Sequence, residues 1–403
     1  MYWRNEDGGE AVTVRGDLWL PGGTPVPSRR ARVRARGAGL DWILMAAVTV
    51  LVVIGLVSVY SATRYHLVML GRPGTAYLTR DLTNLAVGTT LALPVALLDY
   101  RQLRSWAPLL YGGAVFLLLA VLSPLGSTIN GAHGWFTLGP VQLEPSEFSK
   151  LAVILLLAAV LSERRDREQE PAIRDIWFAL GAGGLPLLLI LAEPALGIAI
   201  VVAVICIALL SMSGAPARWT VSLLAGAVVV ATAAFSLHLL KPYQQERFTY
   251  FANPQGAQTS TGYQIEQSRI AIGSGGLLGQ GFLKGSQTTG GFIPEQQTDF
   301  IFTVSAEEGG LAAGTVLLAA LGVVLFRGLG IAAGAKDLFG SLVAVGVASW
   351  FAFQAFVNIG MTMGIMPVTG LPLPFVSYGG SSLLADLLGV ALLLSIRRVS
   401  RTA

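Results

Sequence analysis

Acidic side chains are concentrated at residues 294–310, PEQQTDFIFTVSAEEGG, where a polar segment meets an apolar run. Asp299 stands at the boundary, and Glu307 and Glu308 follow about 12 Å further along if the run is helical. A carboxylate at such a boundary is either a solvated helix cap or a general base that takes a proton from a hydroxyl group. Two adjacent glutamates inside an apolar helix are costly unless they are functional or paired. Asp299 is therefore the first candidate for catalysis, with Glu307 and Glu308 as polar support.

Glu147 and Lys150 form a second charged pair, one helical turn apart at the start of another apolar run. Side chains at i and i+3 are neighbours on a helix, so one interpretation is a structural ion pair. The other is that Lys150 binds an anionic ligand through a charge-assisted contact. The spacing leaves both open. Asp386 lies inside a further apolar run, where it either serves function or bonds a neighbouring helix.

Several chemistries are excluded by motifs that the sequence lacks. None of the four lysines follows a serine at the spacing S-x-x-K, so a penicillin-type serine acyl-enzyme is absent. There is no G-x-x-x-x-G-K-[ST] phosphate loop, and the three histidines are too scattered for a zinc motif such as H-E-x-x-H. A single cysteine excludes an internal disulfide. No nucleic-acid partner is expected.

Residues 358–382 interrupt an otherwise apolar region with residues that break helices. Non-helical backbone at membrane depth is tolerated only where it is buried in protein or lines a wet cavity. The sequence therefore predicts a cavity beside the acidic residues. The helix-breaking residues are Pro367, Pro372, Pro374, Gly364, Gly370, Gly379 and Gly380.

Membrane-spanning helices must position these side chains. Apolar residues make up 53% of the 403 residues and charged residues 12%, where a soluble domain has about 25% charged residues. The sequence has ten apolar runs, which we interpret as membrane spans. The fold class predicted is an all-α polytopic membrane protein with ten transmembrane helices. The runs are residues 41–61, 80–98, 105–124, 147–162, 176–192, 195–212, 217–240, 300–326, 339–363 and 379–396.

The distribution of Lys and Arg orients the predicted helices. With the N-terminus inside, the cytoplasmic segments hold 19 of the 27 basic residues and the outer segments hold 7, as the positive-inside rule requires. The expected protein is a multi-pass protein of the bacterial cytoplasmic membrane with both termini in the cytoplasm. Residues 1–38 are predicted to be a disordered cytoplasmic tail. Residues 39–398 are the transmembrane domain, and residues 399–403 the cytoplasmic C-terminus.

The outer segment at residues 241–299 is far longer than a simple connection needs. Its aromatic and aliphatic residues predict a large structured extracellular loop, with a short interfacial helix at residues 262–272. Eight glycines follow at residues 273–291, and they either permit turns or let backbone amides approach a phosphate.

With these residues identified, the sequence resembles the SEDS family (shape, elongation, division and sporulation) over about residues 40–398. It resembles the RodA branch more than the FtsW branch because of Lys284-Gly-Ser-Gln287 and NIGMTMGIMP. The resemblance rests on four motifs: NGAHGWFTLGPVQLEPSEFSKLA at 130–152, GYQIEQSRIAIGSGGLLGQGFLKGSQ at 262–287, PEQQTDFIFTVSAEEGG at 294–310 and NIGMTMGIMPVTGLPLPFVSYGGSSLL at 358–384.

The resemblance implies a ten-span fold that polymerises lipid II into peptidoglycan strands at the outer leaflet, for cell elongation and shape. Its essential aspartate matches Asp299, and its other important positions match Glu147, Lys150, Arg269, Glu307, Glu308 and Ser377. Two departures stand out. Glu193-Pro194-Ala195 replaces the common Q-P-D, and His133-Gly134 replaces a basic residue before the Trp, which removes a fixed charge.

The implied mechanism needs a base and cations. Asp299 would deprotonate the GlcNAc 4-hydroxyl of one lipid II molecule. Lys150 and Arg269 would bind the diphosphate of the other together with a divalent cation, Mg²⁺ or Mn²⁺, that Asp299 also contacts. Glu147 and Ser377 complete the predicted substrate site. The expected partners are membrane lipids, elongation-complex proteins and a class B penicillin-binding protein, because a chain without S-x-x-K cannot crosslink glycan.

Two other functions fit a polytopic protein of this composition. The first is a flippase that carries lipid II across the membrane, and the second is a scaffold that positions other wall enzymes. A flippase needs polar residues along its whole path, whereas a polymerase needs them at the outer face. The unusual polar residues lie mostly on the predicted outer side, with Asp386 as the exception, so the polymerase is favoured.

Overall fold

The computed structural model describes residues 13–14, 17–18, 40–129, 132–138, 141–163, 170–237, 244–247, 251 and 260–402. Within the predicted tail it describes a short antiparallel pair, β1 (Thr13–Val14) and β2 (Asp17–Leu18). The rest of residues 1–38 lies outside the described residues, so the predicted disorder of the tail stays a prediction.

Each of the ten predicted apolar runs overlaps a helix of at least 17 residues. Six of these helices, α1, α3, α5, α7, α10 and α11, are long and apolar enough to cross a membrane. The chain is therefore a multi-pass membrane protein. The helices are α1 (Trp42–Met69), α2 (Ala76–Leu97), α3 (Tyr100–Leu122), α4 (Pro145–Leu161), α5 (Ile173–Ala192), α6 (Leu196–Met212), α7 (Ala217–Ser236), α8 (Ser260–Ser274), α9 (Ser286–Gly290), α10 (Ile301–Ala333), α11 (Leu338–Thr362) and α12 (Gly380–Thr402).

Helix α4 lies at the centre of the bundle. Fourteen of its 17 residues are buried, because α3, α5, α6, α11 and α12 all pack around it. From Leu151 onward, α4 is apolar on every side, and a helix of this kind is stable when all of its faces are buried. Helix α7 is the opposite case: none of its residues is buried, and it packs against α6.

Aspartate caps start several helices and also join them at one end of the bundle. The Asp41 carboxylate accepts from Leu44 N at 3.2 Å at the start of α1, and it pairs with Arg327 near the end of α10. Asp337 accepts from Gly340 N at 2.7 Å at the start of α11 and pairs with Arg101 of α3 at 3.0 Å. Each cap satisfies a backbone donor that a helix start leaves open.

A small antiparallel sheet marks the other end of the bundle. Strands β3 (Ser127–Ile129), β4 (Ala132–Leu138) and β5 (Val141–Leu143) connect α3 to α4 in the order β3-β4-β5. We refer to this end as the meander end. The backbone N–H of Glu144, which follows the sheet, donates to Ser381 Oγ at 2.9 Å and so joins it to the start of α12.

Helix α10 is broken at Gly310, whose φ of 64° is left-handed. The break leaves backbone carbonyls and amides of α10 without partners in the helix, and these groups form hydrogen bonds with residues 275–285. We call residues 275–285 the glycine segment. Gln280 N donates to Glu307 O at 2.9 Å, and Leu311 N donates to Gly276 O at 2.9 Å. The glycines of this segment serve turns and close packing: Gly279 has a φ of 78°, and a Cβ there would lie 2.1 Å from Glu308 O.

Candidate active site

A cavity of about 270 Å³ opens at the meander end of the bundle, and we call it the Asp299 cavity. It lies where the segment before α10 meets residues 363–379, which connect α11 to α12 and which we call the interrupted stretch. The helix-breaking residues of this stretch predicted a cavity here. Four carboxylates and one guanidinium line it among the described residues: Glu144, Glu147, Glu295, Asp299 and Arg247. Its other polar walls include Trp135, Gln244, Thr298, Thr369, Tyr378, Ser381 and Ser382.

Asp299 is held by the interrupted stretch. Asn358 Nδ2 donates to Asp299 O at 2.9 Å and to Leu371 O at 2.7 Å, which joins the aspartate to that stretch. Ser377 Oγ donates to Thr298 O at 2.5 Å while accepting from Leu373 N at 2.8 Å. Ser377 thus fixes the peptide next to Asp299 through its hydroxyl, and it does not itself line the Asp299 cavity.

The Asp299 carboxylate is half-buried beside a guanidinium. A Cβ on Gly370 would lie 3.6 Å from Asp299 Oδ2 and 3.9 Å from an Arg247 nitrogen, so the glycine leaves room for both groups. Burial raises the pKa of Asp299 to about 6, with Arg247 lowering the pKa and Glu295 raising it. A carboxylate with such a pKa is ionised near neutral pH and still basic enough to accept a proton.

Two more glutamates lie near the Asp299 cavity, of which Glu144 lines it and Glu193 does not. Burial and the neighbouring Glu147 raise the pKa of Glu144 to about 8. Glu193 is fully buried, neither carboxylate oxygen has a hydrogen-bond partner among the described residues, and burial raises its pKa to about 8. A Cβ on Gly134 would lie 3.1 Å from Glu193 Oε2. The two departures from the family pattern therefore touch each other: the glycine makes room for the glutamate.

Lys150 is fully buried and its ammonium group is surrounded by protein. Its Nζ donates to Glu147 Oε2 at 2.8 Å and to Gln354 Oε1 at 3.2 Å, and it lies 4.3 Å from the centre of the Trp350 ring. It does not line the Asp299 cavity. This geometry supports the structural ion pair that the sequence left open, whereas binding of an anionic ligand by Lys150 stays a prediction.

Glu307 and Glu308 bind the glycine segment and α9. Glu307 accepts from Gln287 N at 2.6 Å, from Thr288 N at 3.1 Å and from Thr288 Oγ1 at 2.8 Å. Glu308 accepts from Ser61 Oγ of α1 at 2.5 Å and from the backbone N–H of Leu283 and Gly285. The two glutamates are thus paired with backbone donors, which accounts for charges in an apolar helix.

Arg269 and Asp386 lie away from the Asp299 cavity. Arg269 is exposed on α8, and its side chain lies 3.6 Å from where a Cβ of Gly364 would stand. Asp386 of α12 is buried, and its Oδ2 accepts from Phe375 N at 3.0 Å. Phe375 has a left-handed φ of 64°, so Asp386 stabilises a turn of the interrupted stretch.

Of the side chains that sequence reasoning put forward, the structure brings Asp299 and Glu147 to the cavity wall. Arg247, Glu144 and Glu295 were not singled out, although they share the cavity. The sequence offered little reason to choose Arg247 as a site residue, because it is one of seven basic residues in the predicted outer segments. Nothing in its local sequence ties it to Asp299, 52 positions later.

A divalent cation fits part of this donor set. Within the described part of the chain, no group of three or more His, Cys, Asp or Glu side chains could hold a metal ion by itself. Asp299 and Glu295 nevertheless line one cavity. Mg²⁺ is commonly bound by one or two carboxylates together with substrate phosphates. The residues therefore suit a cation that binds together with a phosphorylated ligand.

The fold and site define a polytopic membrane protein with an acidic cavity at one end of its helix bundle. The model of the FtsW/RodA/SpoVE family, described as "Cell cycle protein", matches residues 41–402. The chain belongs to this family, which confirms the SEDS resemblance.

Relatives carry the names of several branches. Stage V sporulation protein E of Bacillus subtilis (strain 168) is 38% identical over 362 residues, which cover 90% of this chain and 98% of that protein. Peptidoglycan glycosyltransferase MrdB of Escherichia coli (strain K12) is 40% identical over 321 residues, which cover 79% of this chain and 84% of that protein. A probable peptidoglycan glycosyltransferase FtsW of Trichlorobacter lovleyi is 35% identical over 370 residues. Because these identities are similar, they do not show to which branch of the family the chain belongs.

A solved structure has the same fold. It is described as "Structural coordination of polymerization and crosslinking by a peptidoglycan synthase complex". One of its chains matches with a TM-score of 0.74 and 34% identity, covering 90% of this chain and 98% of that chain.

Proposed function

We infer that this chain is a peptidoglycan glycosyltransferase that polymerises lipid II into glycan strands. The observation that carries the inference is Asp299, a half-buried carboxylate on the wall of a cavity at one end of a membrane bundle. The glycosyltransferase relatives support the substrate class. The carboxylate supports the reaction, because it has the proton affinity and the location of a base for a lipid-linked sugar.

In the proposed reaction Asp299 accepts the proton of the GlcNAc 4-hydroxyl of one lipid II molecule. The hydroxyl oxygen attacks C1 of the sugar on a second molecule, the bond from C1 to the diphosphate oxygen breaks, and a single displacement inverts C1. Asn358 and Ser377 hold the backbone on either side of Asp299. Arg247 keeps the carboxylate ionised by lowering its pKa.

We further propose that Asp299 and Glu295 hold a divalent cation that binds with the diphosphate. When bound, such an ion would offset the charge that develops on the leaving group. The diphosphate contacts predicted for Lys150 and Arg269 remain proposals. The buried ion pair argues for a structural role of Lys150, and the exposure of Arg269 leaves it available to ligand.

The test replaces Asp299 with Asn, which keeps the shape and removes the base. General-base catalysis contributes about 10²–10⁴-fold, so glycan synthesis by purified Asp299→Asn from labelled lipid II should fall by that factor. Glu193→Gln is the matched control, because it also removes a buried carboxylate but lies outside the cavity wall. Near-normal synthesis by Asp299→Asn would overturn the proposal and make the flippase the leading alternative. Partial rescue by excess Mn²⁺ would assign Asp299 to the cation instead.

We propose ten membrane crossings with both termini in the cytoplasm and the meander end outside. The arginines that contact Asp41 and Asp337 support this orientation, because they cluster at the opposite end of the bundle. On this orientation residues 241–299 are the extracellular loop.

We assign the chain to the RodA branch, and hence to elongation, on Lys284-Gly-Ser-Gln287 and NIGMTMGIMP. Depletion in the source organism should then make cells round. Filaments with blocked septa would assign the chain to division instead.

We propose a class B penicillin-binding protein as the partner. The absence of S-x-x-K means that this chain cannot crosslink the strands it makes. The similar chain from a complex of polymerization and crosslinking supports the pairing. Penicillin-sensitive crosslinks formed by the purified chain alone would contradict it.

A further inference from the structure

A second cavity, of about 530 Å³, is lined in part by the residues that precede Asp299 in the chain. Its walls are the end of α1, the start of α2 and residues 288–297. We call it the Arg72 cavity. Glu295 lines both cavities, and no other described residue does.

The two cavities differ in charge. Among the described residues, the Asp299 cavity has four carboxylates and one guanidinium, that of Arg247. The described walls of the Arg72 cavity have the guanidinium of Arg72, the imidazole of His66 and one carboxylate, that of Glu295. Without a bound cation, a diphosphate is repelled by the carboxylates of the Asp299 cavity and attracted by the guanidinium of Arg72, because an arginine presents the planar donor pair that phosphate oxygens prefer.

An aromatic pair joins the walls of the two cavities. Tyr77 lines the Arg72 cavity and Tyr378 lines the Asp299 cavity, and the two rings pack edge to face with centres 4.8 Å apart. Glu295, which lines both cavities, has a left-handed φ of 51°. Backbone strain of this kind persists where the surroundings enforce it, and it concentrates at functional sites.

Apolar side chains next to the Arg72 cavity suit a lipid chain. Met69 and Leu70, at the end of α1, line the cavity and are 68% and 58% exposed. A polyprenyl tail could therefore lie along α1 while its charged head reaches Arg72, in the same way that long amphipathic groups divide between lipid and water.

We propose that the Arg72 cavity binds the polyprenyl diphosphate of the glycosyl donor, whereas the Asp299 cavity binds the sugar whose hydroxyl attacks. This rests on the proposed function and specifies which substrate occupies which side of Glu295. The acceptor oxygen forms a bond to the donor C1 at the wall between the cavities. The C1–oxygen bond to the diphosphate breaks, its electron pair leaves with the polyprenyl diphosphate in the Arg72 cavity, and the proton passes to Asp299.

The test measures binding of undecaprenyl diphosphate to the purified full chain in detergent. Hydrogen bonds to charged groups contribute about 1.5–3 kcal/mol, so Arg72→Gln should raise the Kd by about tenfold or more. Arg72→Lys should restore part of the affinity, because the charge returns without the planar donor pair. The matched control is Arg64→Gln: Arg64 is also exposed, lies on α1 shortly before Arg72, packs over Tyr60 at 5.7 Å and lines neither cavity, so the Kd should stay within about twofold of the unchanged chain.

Competition distinguishes a lipid-linked diphosphate from a free one. Undecaprenyl diphosphate should be displaced by farnesyl diphosphate but only weakly by inorganic diphosphate, because the apolar wall contributes to binding. Displacement by inorganic diphosphate as effective as by farnesyl diphosphate would overturn the lipid assignment. An unchanged Kd in Arg72→Gln, with an unchanged thermal midpoint that shows the variant to be folded, would overturn the site.

Failure of this inference is separable from failure of the proposed function. Asp299→Asn should lose glycan synthesis while retaining undecaprenyl diphosphate binding when binding is measured in EDTA, without the cation proposed for Asp299 and Glu295, because Asp299 lies outside the Arg72 cavity. If Asp299→Asn lost both, the division of the two substrates between the cavities would be wrong although the polymerase would stand. If Asp299→Asn kept synthesis, the polymerase mechanism would be wrong whatever Arg72 binds.

Discussion

At the scale of single residues, the environment of a charged side chain decides whether it can bind a ligand or only stabilises the fold. Asp299, Glu307 and Lys150 all stand out in the sequence because charge is rare in apolar runs. The structure separates them: Asp299 faces a cavity, Glu307 binds backbone amides and Lys150 is enclosed by Glu147, Gln354 and Trp350. Spacing along one helix offered the ion pair of Lys150 as one of two interpretations, because both partners lie one turn apart.

Contacts between residues far apart in the chain could not be predicted from the sequence. Arg247 and Asp299 are 52 positions apart, and their proximity depends on a glycine, Gly370, in a third segment. The contact between Gly134 and Glu193 is of the same kind: each departure from the family pattern is visible in the sequence, and only the fold shows that they meet. Local periodicity carries no information about such pairs.

The raised pKa of Asp299 predicts the pH dependence of polymerisation. A general base works when deprotonated, so the rate should rise with pH up to about 6 and level off above it. Below that value kcat/KM should fall about tenfold per pH unit. Arg247→Gln removes the charge that lowers the pKa of Asp299, so its rising limb should move to higher pH.

Initial rates measured on labelled lipid II over about pH 5 to 8 would check this, since the range spans the expected value. A rate independent of pH below 6 in the unchanged chain would mean that Asp299 is not the base.

At the scale of elements, the apolar runs predicted the helices well, because a run of this length has few alternatives in lipid. The helix predicted at residues 262–272 is also found, as α8. The break in α10 was not predicted, because Gly309-Gly310 is compatible with a continuous apolar helix in the sequence alone. Its cause is the glycine segment, whose backbone replaces the hydrogen bonds that the break removes.

Gly279→Ala should test that replacement. The added Cβ would lie 2.1 Å from Glu308 O at a residue with a left-handed φ of 78°, so the backbones must separate. We expect the free energy of unfolding to fall by about 1–3 kcal/mol, seen as a lower thermal midpoint in detergent. Gly322→Ala is the matched control on α10: nothing lies within 4 Å of its Cβ, and alanine favours helix, so its midpoint should be unchanged or higher. Equal midpoints for the two variants would argue against the tight packing of the glycine segment.

At the scale of the whole molecule, the two ends of the bundle differ in chemistry. One end has arginine–aspartate pairs, such as Arg327 with Asp41 and Arg101 with Asp337. The other has the sheet, the interrupted stretch and the two cavities. The count of Lys and Arg predicted this asymmetry, because charge bias belongs to whole segments and does not depend on tertiary contacts. The division into two cavities required the fold.

Cysteine labelling should decide the orientation. With Cys206 replaced by Ala, a cysteine at Ser127 of β3 should react with a membrane-impermeant maleimide in intact cells. A cysteine at Lys336, between α10 and α11, should react only after the membrane is permeabilised. Gln169 lies outside the described residues, and the sequence predicts for it the same protection as for Lys336. The opposite pattern would invert the assignment and place both cavities in the cytoplasm.

The contrast between α7 and α4 has an evolutionary consequence. No side chain of Ala217–Ser236 is buried within the protein, whereas α4 is enclosed on every side. Exchanging one apolar residue for another on α7 therefore leaves internal packing almost untouched, while the same exchange on α4 opens a void or a clash. Selection on α7 thus acts mainly on its hydrophobicity and on its contacts with the surrounding bilayer. Its sequence is free to drift with the host's lipids or with a partner, and α4 is not.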